Sequence, residues 1–204
     1  MSTSMRAPFI PLPALAAAAA LLLCLCVASV CRAAGRECDG VSFPQQVQVR
    51  GKTLTLNGLG LRKATFLRIK VYVGALYVAH PTADANAIIN SRDPVEIDLA
   101  FVFHATAGQF RDAWEEGFKR SAPDKLPQLR SRITELENRT TAVDSGQRVS
   151  FLRIPGVGVQ FALDGVVQGT IPGDDFGTAL LGIWLGPSPP NPELRTGLLG
   201  GPCT

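Results

Sequence analysis

The sequence has few of the residues from which catalytic and metal centres are usually built. Only two of its 204 residues are histidines, His80 and His104, and neither has a carboxylate or thiol at the spacing of a metal site. It has neither the Gly-x-Ser-x-Gly pattern of a hydrolase nor a phosphate-binding glycine loop. His104 follows a predicted strand and fits a hydrogen-bonded histidine at a rim, while a haem ligand would rest on its presence alone. We therefore predict neither a hydrolase nor a metalloenzyme, and no cofactor.

The chain also lacks a strong excess of charge. It has 20 basic and 17 acidic residues, and removal of residues 1–34 leaves 18 and 17, a net charge of +1. Residues 119–132 contain five basic side chains, but these alternate with apolar positions on predicted helices, which indicates a solvated face. Since nucleic-acid binding needs a clustered basic surface, no nucleic-acid partner is predicted.

Long apolar runs are confined to the N-terminus, where residues 14–30 are interrupted only by Ser29. Arg6 precedes this run and small residues at positions 33 and 34 follow it, a pattern typical of a secretory signal. We predict a signal peptide at residues 1–34, a domain at 35–204, and a periplasmic or secreted protein. The 17-residue run is at the lower limit for spanning a bilayer. An uncleaved anchor is thus the alternative, and it is the only membrane contact that the sequence predicts.

Cysteine is scarce once the predicted signal is removed. Cys38 and Cys203 remain, one near each end of the domain. An oxidising compartment permits a disulfide, and the termini of compact domains often lie close together. Two unrelated thiols are the alternative.

Hydrophobic periodicity predicts strands mixed with helix pairs in the domain. Strands are predicted at residues 46–50, 53–56, 65–78, 95–103, 149–154, 158–163 and 166–170, and helices at 82–90, 106–120, 126–138, 174–186 and 193–199. Thr106 and Gln109 have the spacing of a capping box. The predicted fold class is α+β, an antiparallel sheet covered on one face by a helical layer, with a cleft between the layers.

The long strand predicted at residues 65–78 carries the main indication of a ligand site. In a continuous strand Lys70 and Tyr72 share one face, and Leu67 points into the core. A glycine-rich turn before Arg62 would direct its guanidinium back across the sheet. A guanidinium and a phenol above an apolar sheet can hold an anionic head group with a hydrophobic body. The alternative is that Lys70 extends from an edge strand into water and Tyr72 only packs on a helix.

The helix predicted at residues 106–120 would form the roof of the cleft. Its apolar positions recur at helical spacing, at Phe110, Ala113, Trp114, Gly117 and Phe118. The strand face that bears Lys70 and Tyr72 would form the floor.

Seven segments together resemble the chalcone isomerase-like superfamily in its bacterial secreted branch. They are GVSFP (40–44), KTLTLNGLGLR (52–62), KVYVGALY (70–77), AWEEGF (113–118), GTIPG (169–173), IWLG (183–186) and PELRTGLL (192–199). The resemblance covers residues 40–200 in order, and it implies an open-faced β-sandwich of the chalcone isomerase type.

The resemblance keeps one of six active-site positions of the plant chalcone isomerases. Arg62 matches an arginine that meets the phenolate or enolate character of the substrate, and Tyr72 replaces a threonine. A tyrosine, a lysine, an asparagine and a threonine or serine are replaced by Phe110, Ala113, Gly117 and Ile183. The cleft has thus exchanged polar contacts for apolar walls, and few donors remain to stabilise an oxyanion.

Other members of the superfamily bind fatty acids without catalysis, through an arginine, a tyrosine and a hydrophobic cleft. Arg62 and Tyr72 resemble that pair. The resemblance therefore implies non-catalytic binding of a fatty acid or similar small amphipathic anion, with Lys70 at the rim. The predicted lining comprises Phe110, Trp114, Ile183 and Trp184. The alternatives are an isomerase (intramolecular lyase) of the chalcone type and a structural or partner-binding module without a ligand.

Overall fold

A seven-stranded antiparallel sheet dominates the computed structural model, which describes residues 35–204. Its strands follow chain order: β3 (Gln46–Val49), β4 (Lys52–Ala64), β5 (Ile69–Val78), β6 (Val95–Phe101), β7 (Arg148–Ile154), β8 (Gly158–Leu163) and β9 (Val166–Pro172). The sheet curls into a half-barrel. A separate hairpin consists of β1 (Arg36–Cys38) and β2 (Val41–Phe43). The predicted signal peptide lies outside the described residues.

Helices pack against one face of the sheet, which confirms the predicted α+β class. They are α1 (Ala85–Ile89), α2 (Ala107–Ser121), α3 (Leu126–Arg139), α4 (Asp174–Leu185) and α5 (Pro192–Leu198), with a 3₁₀ turn at Pro123–Lys125. The predicted capping box begins α2, because Thr106 and Gln109 each accept a hydrogen bond from the other's backbone N–H. This cap fixes where α2 starts and hence which of its residues face the sheet.

The core has two layers, one on each face of the sheet. The larger layer packs α2, α3 and α4 against β5–β8. The smaller layer lies on the opposite face and includes Phe43, Leu54 and Tyr77. A disulfide joins Cys38 to Cys203 beside this second layer, with 6.0 Å between their Cα atoms. The N-terminal hairpin is thereby tied to the end of the chain.

The glycines before Arg62 do not form a turn, so the prediction of a turn there was wrong. Strand β4 runs through them, and α5 packs directly on its backbone. A Cβ atom at Gly58 would lie 2.1 Å from the Gly197 carbonyl oxygen, and one at Gly60 would lie 2.3 Å from the Leu194 carbonyl oxygen. Only glycine permits this approach of helix to strand. Arg62 therefore projects from within a strand rather than from a loop.

The strand predicted at residues 65–78 begins later than expected. Residues 65–68 form the turn between β4 and β5, closed by a hydrogen bond from Arg68 N to Thr65 O of 3.2 Å. Leu67 was predicted to face the core, and this prediction was wrong: it is 66% exposed at the tip of the hairpin. Thr65 and Phe66 are residue types common in strands, and the turn was therefore predicted as part of one long strand.

Two further observations concern residues 35–204 as a whole. None of their helices has both the length and the apolar character needed to cross a membrane. No group of three histidine, cysteine, aspartate or glutamate side chains in this part of the chain is placed to hold a metal ion.

Candidate ligand cavity

An open cavity of about 310 Å³ lies between the sheet and the helical layer. Its inner wall is apolar and buried, and comprises Tyr72, Leu99, Phe101, Phe110, Trp114, Ile183 and Trp184. Its mouth is lined by more exposed residues, among them Arg62, Thr65, Phe103, His104, Gln109, Ala113, Glu116, Arg120 and Pro190. The cavity is thus a pocket with an apolar interior that opens through a polar and partly basic rim.

Aromatic rings form a continuous inner wall. Phe101 of β6 contacts Tyr72 and Phe110, with ring centroids 5.4 and 5.3 Å apart. Trp114 continues the wall, 6.0 Å from Phe110 and 6.0 Å from Trp184. The pairs are tilted or edge-on, the arrangements that aromatic rings favour. This packing fixes the shape of the wall before any ligand enters.

Arg62 and Tyr72 are direct cross-strand partners on β4 and β5. Side chains so paired project from the same face with their Cβ atoms about 5 Å apart. Arg62 is half-buried and donates one hydrogen bond from Nη1 to the Lys63 carbonyl oxygen. A guanidinium has five N–H donors, so most of its donors stay available. Within residues 35–204, no carboxylate lies within ion-pair distance of Arg62.

Tyr72 is oriented by Trp184, whose Nε1–H donates to the tyrosine Oη at 3.0 Å. Both side chains are buried, at 9% and 2% exposure. Burial raises the pKa of Tyr72, while Trp184 and the charges of Arg62 and Arg120 oppose that shift. The phenol therefore stays protonated at neutral pH. Because its oxygen already accepts from Trp184, its own proton is available to an acceptor in the cavity.

Lys70 does not reach the cavity, and its predicted place at the rim was wrong. A β-bulge between β4 and β5 pairs Arg62 with Tyr72 but Lys63 with Lys70, which leaves Val71 as an extra residue. The bulge breaks the alternation, so Lys70 lies on the face opposite Tyr72. Its Nζ pairs with Asp39 Oδ1 at 2.5 Å, in the turn between β1 and β2. Val71 and Ile69 line the cavity instead.

A second arginine at the mouth was missed. Arg120 was grouped with the solvated basic residues of the helices, yet it lines the cavity. Its Nε donates to Ser188 O at 3.2 Å, and its guanidinium pairs with Glu116 one turn earlier on α2. Unlike Arg62, it already has a counter-ion. Its helical spacing from Ala113 and Gly117 was the signal that would have placed it on the cavity face.

His104 lies at the rim, where its Nδ1 is 2.6 Å from Asp144 Oδ1. The side chains are 54% and 76% exposed, so water surrounds the pair. The rim thus holds a hydrogen-bonded histidine, two arginines and a glutamate around an apolar interior.

Comparison with known proteins places the chain in a family. A family model described as chalcone isomerase-like matches residues 35–200. The chain belongs to the chalcone isomerase-like family. The crystal structure of the Arabidopsis thaliana fatty-acid binding protein AtFAP1 aligns with a TM-score of 0.63 at 18% identity, covering 79% of this chain and 92% of that chain. At this identity the likeness shows the fold alone. A search of curated protein sequences finds no match.

The chalcone isomerase-like fold brings together most of the predicted ligand-site residues. Of the seven, only Lys70 lies outside the cavity; the six that line it are Arg62, Tyr72, Phe110, Trp114, Ile183 and Trp184. Ala113 lies at the mouth, whereas Gly117 lies behind the wall. A Cβ atom there would be 3.0 Å from Ile183 Cδ1, so the glycine admits the isoleucine side chain.

Proposed function

We propose that the cavity of this chalcone isomerase-like protein binds a fatty acid or a similar small amphipathic anion and does not turn it over. The observation that carries the proposal is Arg62, a half-buried cation at the mouth of an apolar cavity. No carboxylate of the described domain neutralises it, whereas Arg120 beside it is paired with Glu116. The free guanidinium is suited to the head group of an anionic ligand.

The head group would be held by two neighbouring donors. Arg62 would give a charge-assisted bidentate contact, and the Tyr72 hydroxyl would donate a further hydrogen bond to the same carboxylate. Trp184 supports the second contact, because its bond to Tyr72 Oη fixes the ring and directs the phenol proton away from the indole. Hydrogen bonds in such a chain strengthen one another.

The tail would lie against the aromatic wall from Phe101 to Trp184. Each methylene that leaves water contributes about 0.8 kcal/mol, so a tail gains most of its affinity here. A volume of about 310 Å³ is at the lower end of small-molecule sites. It favours a ligand with one acyl chain over a lipid with two. The name of the structural neighbour AtFAP1, a fatty-acid binding protein, supports the same class of ligand.

The isomerase alternative finds less support in the cavity. Phe110, Ala113 and Ile183 stand around it where the plant enzymes have polar side chains. Arg62 and Tyr72 remain to stabilise an oxyanion, and the exposed His104–Asp144 pair at the rim is the nearest arrangement to a general base. A spectrophotometric assay should show no chalcone cyclisation above the spontaneous rate. Stereoselective flavanone formation would instead favour the enzyme.

We also propose that the protein acts in the periplasm or outside the cell. The apolar N-terminal run supports export, and the Cys38–Cys203 disulfide fits an oxidising compartment. N-terminal sequencing of the exported protein tests the proposal. A mature chain beginning near Gly35 is expected, and an intact residue 1 would indicate a membrane anchor.

Titration calorimetry with a long-chain fatty acid tests the proposed function. Loss of a charge-assisted contact of about 1.5–3 kcal/mol means that Arg62→Ala should weaken binding about ten- to a hundredfold. Arg62→Lys should recover part of this loss, because an ammonium lacks the planar fork. Arg92→Ala is the matched control, since Arg92 is exposed and lines no part of the cavity.

Equal affinities of the wild type and Arg62→Ala would contradict the proposal and make Arg62 a structural arginine. A loss that Arg92→Ala shares would mean that general charge, rather than this site, attracts the anion.

A further inference from the structure

The tip of the β4–β5 hairpin (residues 65–68) exposes two large apolar side chains next to each other. Phe66 is 91% exposed and Leu67 is 66% exposed. Single exposed hydrophobic residues are common and need no explanation. A contiguous Phe–Leu pair at the end of a long hairpin is different, because it marks a surface that an apolar partner would cover.

The turn is built so that it holds this pair outward. Thr65 and Arg68 have φ angles of 60° and 53°, in the left-handed region that β-branched and long side chains avoid. Hydrogen bonds to Thr65 hold the conformation, from Arg68 N to its carbonyl at 3.2 Å and from Leu67 N to its Oγ1 at 3.3 Å. The two strained residues flank Phe66 and Leu67, which therefore occupy the outermost positions of the turn.

The pair adjoins the mouth of the cavity. Ala64, Thr65 and Ile69, on either side of the tip, line the cavity itself. Phe103 lies on the same rim and is 49% exposed. An apolar surface thus continues from the tip into the pocket, along the path that a ligand would take.

The charge around the tip favours an anionic partner. Residues 61–70 include four basic side chains and no acidic one. Arg62 lies in the mouth and Lys70 is paired with Asp39, so Lys63 and Arg68 flank the tip. Glu193 approaches Arg68 only to 3.8 Å, with both side chains largely in water. A second exposed apolar pair, Val166 and Val167, lacks such a basic surrounding, because it follows the acidic Asp164 of the β8–β9 turn.

We propose that the hairpin tip docks the domain on an anionic lipid bilayer. Phe66 and Leu67 enter the interface, Lys63 and Arg68 contact the lipid phosphates, and the mouth of the cavity faces the membrane. The inference deepens the proposed function, on which it rests, by naming the surface through which an acyl ligand enters. It also goes beyond the sequence-based expectation, which limited membrane contact to an uncleaved N-terminal anchor.

Vesicle flotation tests the docking surface. The purified protein, as processed by the cell that exports it, is mixed with phosphatidylcholine vesicles with or without one third phosphatidylglycerol. Binding is expected only to the anionic vesicles and should fall with salt. Phe66→Ser/Leu67→Ser should weaken it by about tenfold or more, and Lys63→Gln/Arg68→Gln by about tenfold. Val166→Ser/Val167→Ser is the matched control and should bind like the wild type.

A tryptophan reporter locates the contact independently of any loss of stability. Trp114 and Trp184 are 4% and 2% exposed but line the cavity, so the emission of the wild type with the same vesicles is subtracted as the background. Phe66→Trp should shift its emission to shorter wavelength when anionic vesicles are added, whereas Val166→Trp should not. Absence of the shift in Phe66→Trp would overturn the proposal.

Equal flotation of the Phe66→Ser/Leu67→Ser variant and the wild type would also overturn it. So would a concentration-dependent dimer in sedimentation that this variant loses, because the tip would then face a second copy. Calorimetry in vesicle-free solution separates the two proposals. The tip variant should keep its fatty-acid affinity, while Arg62→Ala should lose affinity and still float. A protein that binds anionic vesicles through the tip but binds no fatty acid would contradict the proposed function and still support the docking surface.

Discussion

The two tyrosines of the chain allow a matched test of the head-group site. Tyr72 and Tyr77 lie five residues apart on β5, on opposite faces of the sheet. Tyr72 Oη accepts from Trp184 beside the cavity, whereas Tyr77 Oη donates to Pro44 O at 3.0 Å in the second core layer. Replacing each by phenylalanine removes the same hydroxyl, but only one of the two adjoins the cavity.

The expected magnitudes follow from what each change leaves unpaired. Tyr72→Phe leaves the buried Trp184 Nε1–H without its acceptor, which should lower the free energy of unfolding by about 1–3 kcal/mol. Tyr77→Phe removes one neutral hydrogen bond and should cost about 0.5–1.5 kcal/mol. In ligand binding, Tyr72→Phe should lose about two- to tenfold in affinity, and Tyr77→Phe should change nothing.

Denaturant unfolding and fatty-acid titration of the same three proteins provide the assay. Because burial raises the pKa of Tyr72, the phenol remains a donor, and affinity should be flat between about pH 6 and pH 9. An unchanged affinity of Tyr72→Phe would refute the role of the hydroxyl. An equal loss in Tyr77→Phe would show that the effect passes through the fold instead.

Two further predictions concern stability. Burial, reinforced by Asp98, raises the pKa of Glu96 to about 7, so the folded state holds a proton that the unfolded state loses near pH 4.5. The free energy of unfolding should therefore fall by up to about 3 kcal/mol as pH rises from about 4.5 to about 7. In urea unfolding, Glu96→Gln should remove most of this fall. A wild type whose stability is constant over this pH range would contradict the prediction. Cys38→Ser/Cys203→Ser opens a loop of 165 residues and should lower the free energy of unfolding by up to about 5 kcal/mol. An unchanged urea midpoint under non-reducing conditions would show that the disulfide does not stabilise the fold.

The sequence predicted the fold class and the cavity walls because both depend on strong periodicity. The alternation of residues 95–103 places Leu99, Phe101 and Phe103 on one face, and helical spacing places Phe110 and Trp114 opposite them. These patterns survive because a one-residue slip would turn every apolar side chain to the wrong face. The same periodicity located the helical layer.

The errors arose where geometry departs from simple repeats. A single bulge at Val71 reverses the alternation and moves Lys70 away from Tyr72. The glycines of β4 signal close packing of α5, which only the tertiary contact distinguishes from a turn. Glu96 and Asp98 alternate with apolar residues in β6, a pattern typical of a strand with one solvated side, yet both are partly buried. Bulges, curl and helix docking depend on distant residues, so a local pattern could not predict them.

Mass spectrometry of small molecules co-extracted with the purified protein tests the central claim most directly. We expect an amphipathic acid with one acyl chain, close to one per protein, and much less of it with Arg62→Ala than with Arg92→Ala. A neutral lipid, a polyphenol, or an acid that Arg62→Ala retains in full would contradict the account.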